Sequence, residues 1–167
     1  MSPTSVVGGV RASALDAGQL DMFLNNTLEA VEDGRRELLA FFEFHALDGM
    51  LVNRIEVIFE ELVANAVRHG LRPGSNQTIH VHVRAAPGGV ELTLEDDGVP
   101  FDPFVFPLPE PPHSLAEAKV GGLGIPLVVR LSAARRYERP APCAQAGGFA
   151  PTNRVTVLIA KDGPPEH

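Results

Sequence analysis

Cysteine is nearly absent, with Cys143 alone in 167 residues. A single thiol excludes an internal disulfide framework and a thiolate metal cluster, and it fits a reducing cytoplasm. Long apolar runs are missing too. No stretch approaches the roughly 18 residues that a bilayer-crossing helix requires, and residues 1–18 lack the charged start and apolar centre of a secretion signal. A soluble, cytoplasmic protein without membrane association is expected. Positive charge is also scarce, with 14 Lys and Arg against 21 Asp and Glu and a formal net charge of −7. Such a chain is ill suited to gripping phosphate backbones over a broad surface, so nucleic acid is not expected as a direct partner.

What is present is a globular composition, 44% hydrophobic and 21% charged, at a length that suits one domain. Residues 1–18 show no sustained period and read as a flexible leader, residues 19–163 as the domain, and residues 164–167 as a tail. Leu20, Met22 and Leu24 alternate with Asp21, Phe23 and Asn25, which predicts a short first strand, with a single longer helix from about Ala17 as the alternative. Asn26 and Glu29 form a capping box for a helix whose buried face is Leu28, Val31, Leu38, Phe42 and Ala46, with Gly34 weakening it. After Asp48-Gly49 a second helix is expected over Met50 to Arg68, ended by a left-handed Gly70. Thr78 to Arg84 and Val90 to Leu94 alternate strictly about Pro87-Gly88-Gly89, which is a hairpin. From about 99 to 120 the chain is proline-rich and aperiodic, as lids are. A helix over Ile125 to Arg136 with Pro126 in its first turn, a short strand near Arg136 to Arg139 and a last strand through Val155, Val157 and Ile159 complete the order. Hairpin strands with helices between them indicate a layered α+β sandwich.

The second helix carries the main anomaly. At about 100° per residue Ile58, Glu61, Leu62, Asn65 and His69 share one stripe, while Glu60 points away to solvent. A carboxylate and an amide on an apolar face are costly unless the fold or a ligand satisfies them. Glu61 and Asn65 project together from one face, where a carboxylate could take a proton and an amide oxygen could ligate Mg²⁺. A buried, mutually satisfied polar pair is the alternative. Asp96 and Gly98 close the fifth expected element with an acceptor carboxylate beside open backbone, suited to an exocyclic amine such as adenine's; an ordinary turn is the alternative. Gly121-Gly122-Leu123-Gly124 before a helix presents amides at a positive helix end, which attracts phosphate, or it is simply a tight connection. Other features read as structural. His80 and His82 share a strand face without an evident third metal ligand. His69 reads as a helix-end residue, Arg130, Arg135 and Arg136 as a wet helix face, and Cys143 as incidental.

In series, Glu-x-x-x-Asn on a helix, Asp-x-Gly after a strand, a variable lid and Gly-x-Gly before a helix resemble the ATP-binding fold of the GHKL superfamily. The segments EELVANAVRHG, EDDGVPFDP, GGLGIPLVVRLS, YER and NRVTVLI resemble its small stand-alone branch, the anti-sigma-factor serine/threonine kinases, over about Leu20 to Lys161. The resemblance implies a two-layer Bergerat (histidine-kinase-like ATPase) sandwich, with a mostly antiparallel mixed sheet covered on one face by helices. It further implies ATP and Mg²⁺ as cofactors, Glu61 as general base, Asn65 as Mg²⁺ ligand and Asp96 as the adenine contact. Gly98, Gly122, Leu123 and Gly124 would be backbone contacts, with Lys119 and Thr156 beside the nucleotide. Implied partners are a sigma factor or similar regulator, a STAS-domain anti-anti-sigma protein as phosphoacceptor, and a second copy of the chain in a homodimer. Between Asp102 and Gly121, Lys119 is the only Lys or Arg. Phosphate charge would therefore fall largely to Mg²⁺, backbone amides and the helix end. A nucleotide-regulated sequestering module and a plain ATPase are the alternative functions.

Overall fold

The computed structural model describes residues 4–7, 10–16, 18–72, 74–105, 124–140 and 151–163. Its elements run β1 (Thr4–Val7), β2 (Val10–Asp16), β3 (Gln19–Asn25), α1 (Leu28–Phe44), α2 (Gly49–Asn65), a π-turn (Ala66–Gly70), β4 (Thr78–Ala86), β5 (Gly89–Asp96), α3 (Gly124–Leu131), β6 (Ala134–Glu138) and β7 (Asn153–Ala160). The strands form one sheet in the order β1-β2-β3-β4-β5-β7-β6. Every pairing among the described strands is antiparallel, so among the described residues the sheet is antiparallel and not mixed.

Alternation decides which side of the sheet is covered. Met22, Leu24, Ile79, Val81, Val83, Val90, Leu92, Val157 and Ile159 are buried on one face, and register places them across from one another, as in Met22 opposite Val81 and Leu92 opposite Val157. Onto that face α1 lays Leu38 and Phe42, and α2 lays Ile55, Ile58, Phe59 and Leu62. Burial of such side chains is worth about 1.5–3 kcal/mol each, the main term holding helices to sheet. Gly34 sits where α1, α2 and β3 meet: a Cβ there would lie 2.9 Å from both Leu24 and Phe59. This glycine therefore permits close helix packing rather than merely weakening α1.

Several expectations change. The supposed leader contains β1 and β2, which add antiparallel strands beyond β3; backbone pairing needs no side-chain period, so the pattern was silent. The cap of α1 is Thr27, whose Oγ1 accepts from Ala30 N at 3.2 Å, while the Asn26 amide donates to the Arg72 carbonyl at 2.7 Å. Leu28 is exposed. Asp48 caps α2 by accepting from Met50 and Leu51 N. That helix ends in the π-turn, not at a left-handed Gly70; the described glycines with positive φ are Gly18, Gly74, Gly89 and Gly163. The wider turn shifts His69 out of the stripe to an exposed position. Finally α3 stops at Leu131, so Arg135 and Arg136 belong to edge strand β6.

Candidate functional site

The cleft lies where the C-terminal end of α2 diverges from the ends of β5 and β7. It is lined by Leu62, Asn65, Ala66, Leu94 and Val155, with Asp96, Asn153, Phe101 and Pro103 around them. Its floor and walls are apolar, with a few convergent polar groups, as ligand clefts commonly are. Asn65 is the last residue of α2 before the π-turn and is half-buried. Glu61, one turn earlier, is also half-buried, and Glu60 is exposed beside Arg35 at 3.5 Å, as the stripe required.

Asp96 is 8% exposed. Its Oδ1 accepts from Gly98 N at 2.9 Å and from Asn153 Nδ2 at 2.7 Å. These are its hydrogen bonds among the described residues, and they leave Oδ2 for a ligand. Burial pushes the Asp96 carboxyl up, the Asn153 and Gly98 hydrogen bonds pull it partly back, and neighbouring Asp97 adds to the rise. Gly98 is fixed by space, because a Cβ there would strike the Gly70 carbonyl and lie 2.9 Å from Asp96 Oδ1. Gly70 O also accepts from Val99 N at 2.9 Å, so the π-turn and the Asp-x-Gly segment are stitched into one wall.

One turn before Asn65 on α2 stands Glu61, and Gly124 opens α3. A Cβ on it would run into the Glu61 carboxylate, so that carboxylate lies against the backbone at the positive end of α3. The structure thus brings Asn65, Asp96 and Gly98 together and sets Glu61 against Gly124. Lys119, Gly122 and Leu123 lie outside the described residues, as do Cys143 and most of the lid.

Thr156 does not join them. Its flanking residues Val155 and Val157 face the core, so Thr156 points to the far side of the sheet, where its hydroxyl meets that of Thr93 at 3.3 Å. Asn153, at the start of the same strand, does line the pocket, and Thr152 just before it bonds the pocket wall. Thr152 Oγ1 donates to the Gly98 carbonyl at 2.6 Å, and buried Asn153 contacts Asp96, Val99, Phe101 and Tyr137. Sequence reasoning missed both; a polar pair directly before an alternating apolar strand was the available signal.

Serine/threonine-protein kinase BtrW of Bordetella bronchiseptica is 32% identical to this chain over 80 residues, 48% of this chain and 56% of that protein. The match therefore spans little more than half of that relative. The histidine kinase domain of the Erythrobacter litoralis EL346 blue-light activated histidine kinase superposes with a TM-score of 0.44 at 16% identity, covering 83% of this chain and 62% of that one. The profile described as "Histidine kinase-like ATPase domain" matches residues 24–146, most of the chain, a span that holds α1, α2, β4, β5, α3 and β6 and the cleft residues contributed by α2 and β5. The chain belongs to the histidine kinase-like ATPase domain family.

Proposed function

We propose that this chain is an ATP- and Mg²⁺-dependent serine/threonine protein kinase of the anti-sigma type, a partner-switching regulator. In this reading it works as a homodimer in the cytoplasm, binds a sigma factor and phosphorylates a STAS-domain antagonist. The family implies ATP binding, and the name of the Bordetella relative, a serine/threonine-protein kinase, supports the reaction class. The observation that carries the reading is the pocket itself, lined by a buried acceptor carboxylate, Asp96, and by Asn65 of α2, with Gly98 packed against Asp96 and the Gly70 carbonyl where no Cβ would fit.

The residues present fit a nucleotide. Asp96 offers Oδ2 to an exocyclic amine, while Gly98 N holds its other oxygen. Asn65 offers an amide oxygen, the hard ligand that Mg²⁺ prefers. Bound Mg²⁺ would supply charge neutralisation for the phosphates. Glu61, four residues before Asn65, takes the proton of the protein hydroxyl as that oxygen bonds to the γ-phosphorus and the bond to the β,γ-bridging oxygen breaks, releasing ADP. Gly124 opens α3, a helix start suited to phosphate; Gly122 and Leu123 are proposed as further backbone contacts.

Transfer of radiolabel from ATP to a STAS-type partner tests this. Asn65→Ala is expected to cut transfer at least about a hundredfold; equal transfer by wild type and variant would remove the assignment. A second reading, nucleotide-regulated sequestration without phosphotransfer, is favoured by one observation: Lys119 is the only Lys or Arg between Asp102 and Gly121. Tight partner binding with no label transfer supports that reading, and phosphate release without a partner supports a plain ATPase.

A further inference from the structure

Asn153, the first residue of β7, is 2% exposed. Its Nδ2 donates to Asp96 Oδ1 at 2.7 Å and to the Val99 carbonyl at 2.9 Å. Its Oδ1 accepts from the Tyr137 hydroxyl at 2.6 Å and from Phe101 N at 3.2 Å. A carboxamide has two donor hydrogens and two acceptor lone pairs, so this one is fully used. It is also locked in one sense. Flipping it would set its oxygen against Asp96 Oδ1 and the Val99 carbonyl, and its NH₂ against the Phe101 N–H.

We propose that Asn153 is the positioning residue that sets base selectivity in this pocket, holding Asp96 as a pure acceptor so that adenine nucleotides are preferred over guanine nucleotides. The inference rests on the adenine-nucleotide reading above. Adenine presents an amine where guanine presents a carbonyl, so the two bases demand opposite roles of the group that faces them. An ionised carboxylate only accepts, whereas a protonated one can donate to a carbonyl. Burial drives Asp96 toward the protonated form, and the Asn153 and Gly98 hydrogen bonds oppose it. Asn153 is the side chain that keeps the answer "amine". Through Val99 and Phe101 the same amide also fixes where the chain leaves the pocket, and Tyr137 on β6 braces it from behind.

The test is the ratio of dissociation constants for Mg-ATP and Mg-GTP, measured by calorimetric titration on the full chain for wild type, Asn153→Ala and Tyr137→Phe. A side chain that merely supported the fold would weaken both nucleotides together and leave the ratio unmoved. Wild type should prefer ATP, Asn153→Ala should shrink that preference by about tenfold, and Tyr137→Phe by about two- to threefold. An unchanged ratio in Asn153→Ala would overturn the proposal. Should that variant fail to fold by circular dichroism, Tyr137→Phe decides, and an unchanged ratio there overturns it equally. Wild type binding neither nucleotide would overturn the adenine reading and this inference with it. Wild-type preference for ATP with ratios unmoved by both variants would remove only the role of Asn153.

Discussion

Glu95 and Asp96 are adjacent in β5 and carry the same chemical group, yet strand alternation sends them to opposite faces of the sheet. Glu95 lies on the face away from the helices. There His80 Nδ1 sits 3.2 Å from one carboxylate oxygen, and Arg154 Nε and Nη2 donate to the other at 2.7 and 2.6 Å. The His80 hydrogen bond, joined by Arg154 and set against burial, holds the Glu95 carboxyl below its usual range. Asp96, one residue on, meets only neutral N–H donors among the described residues and is pushed up by burial. A carboxylate matched by cations is a finished structural unit. One buried among neutral donors keeps unmatched charge and an oxygen for a ligand, which separates a site from a strut.

The most severe break of that comparison is Asp96→Asn. Because its folded pKa is raised, Asp96 favours the fold below its ordinary value of 3.8, and that advantage is lost as pH rises through the folded value. At neutral pH the ionised group therefore burdens the fold. Asn can still accept from Gly98 and Asn153, so the variant should keep or raise Tm while losing about a hundredfold in ATP affinity. A Tm falling together with affinity would mean that Asp96 is a strut after all.

Glu95→Gln should do the reverse. Its nucleotide affinity should stay within about twofold, while stability falls by about 1–2 kcal/mol. The loss should depend on pH. Burial lowers the His80 pKa, but hydrogen bonds to Glu95 and Asp21 outweigh it and the net is upward. Its contribution is thus full below the ordinary 6.5 and is lost as pH rises through the raised folded value. Glu95 is lowered, so its contribution is present above the ordinary 4.5 and lost as pH falls through the depressed value. Denaturant unfolding across pH should show the wild-type advantage widest between 4.5 and 6.5. A gap independent of pH would contradict the pairing.

The smallest effect is expected at Thr156, on the same far face as Glu95. Thr156→Val removes one hydroxyl contact with Thr93 and should change stability by no more than about 0.5 kcal/mol, with ATP affinity intact. A marked affinity loss would reverse the assignment of faces.

Much of this site was legible in the sequence because helix and strand periods are geometric. The stripe through Ile58, Leu62 and Asn65, the hairpin around Gly89 and the Asp96-x-Gly98 turn all follow from spacing. Thr156 was placed by resemblance against that same geometry: if Val155, Val157 and Ile159 face the core, alternation turns Thr156 away. Elsewhere the information was not local. The backbone-driven pairing of β1 and β2 leaves no side-chain period. The π-turn after Asn65 and the tight approach at Gly34 depend on what packs against them. Asn153 shows its role only when β7 sets it beside Asp96, 57 residues earlier in the chain.

The most direct measurement is thermal unfolding of the full chain with and without millimolar Mg-ATP, beside Asp96→Asn under the same conditions. A ligand that binds only the native state raises its stability, by about 2.7 kcal/mol at a hundred times Kd. The expected result is a clear rise in Tm for wild type and little or none for the variant. An equal rise in both would contradict the role of Asp96, and no rise in wild type would contradict the nucleotide pocket itself.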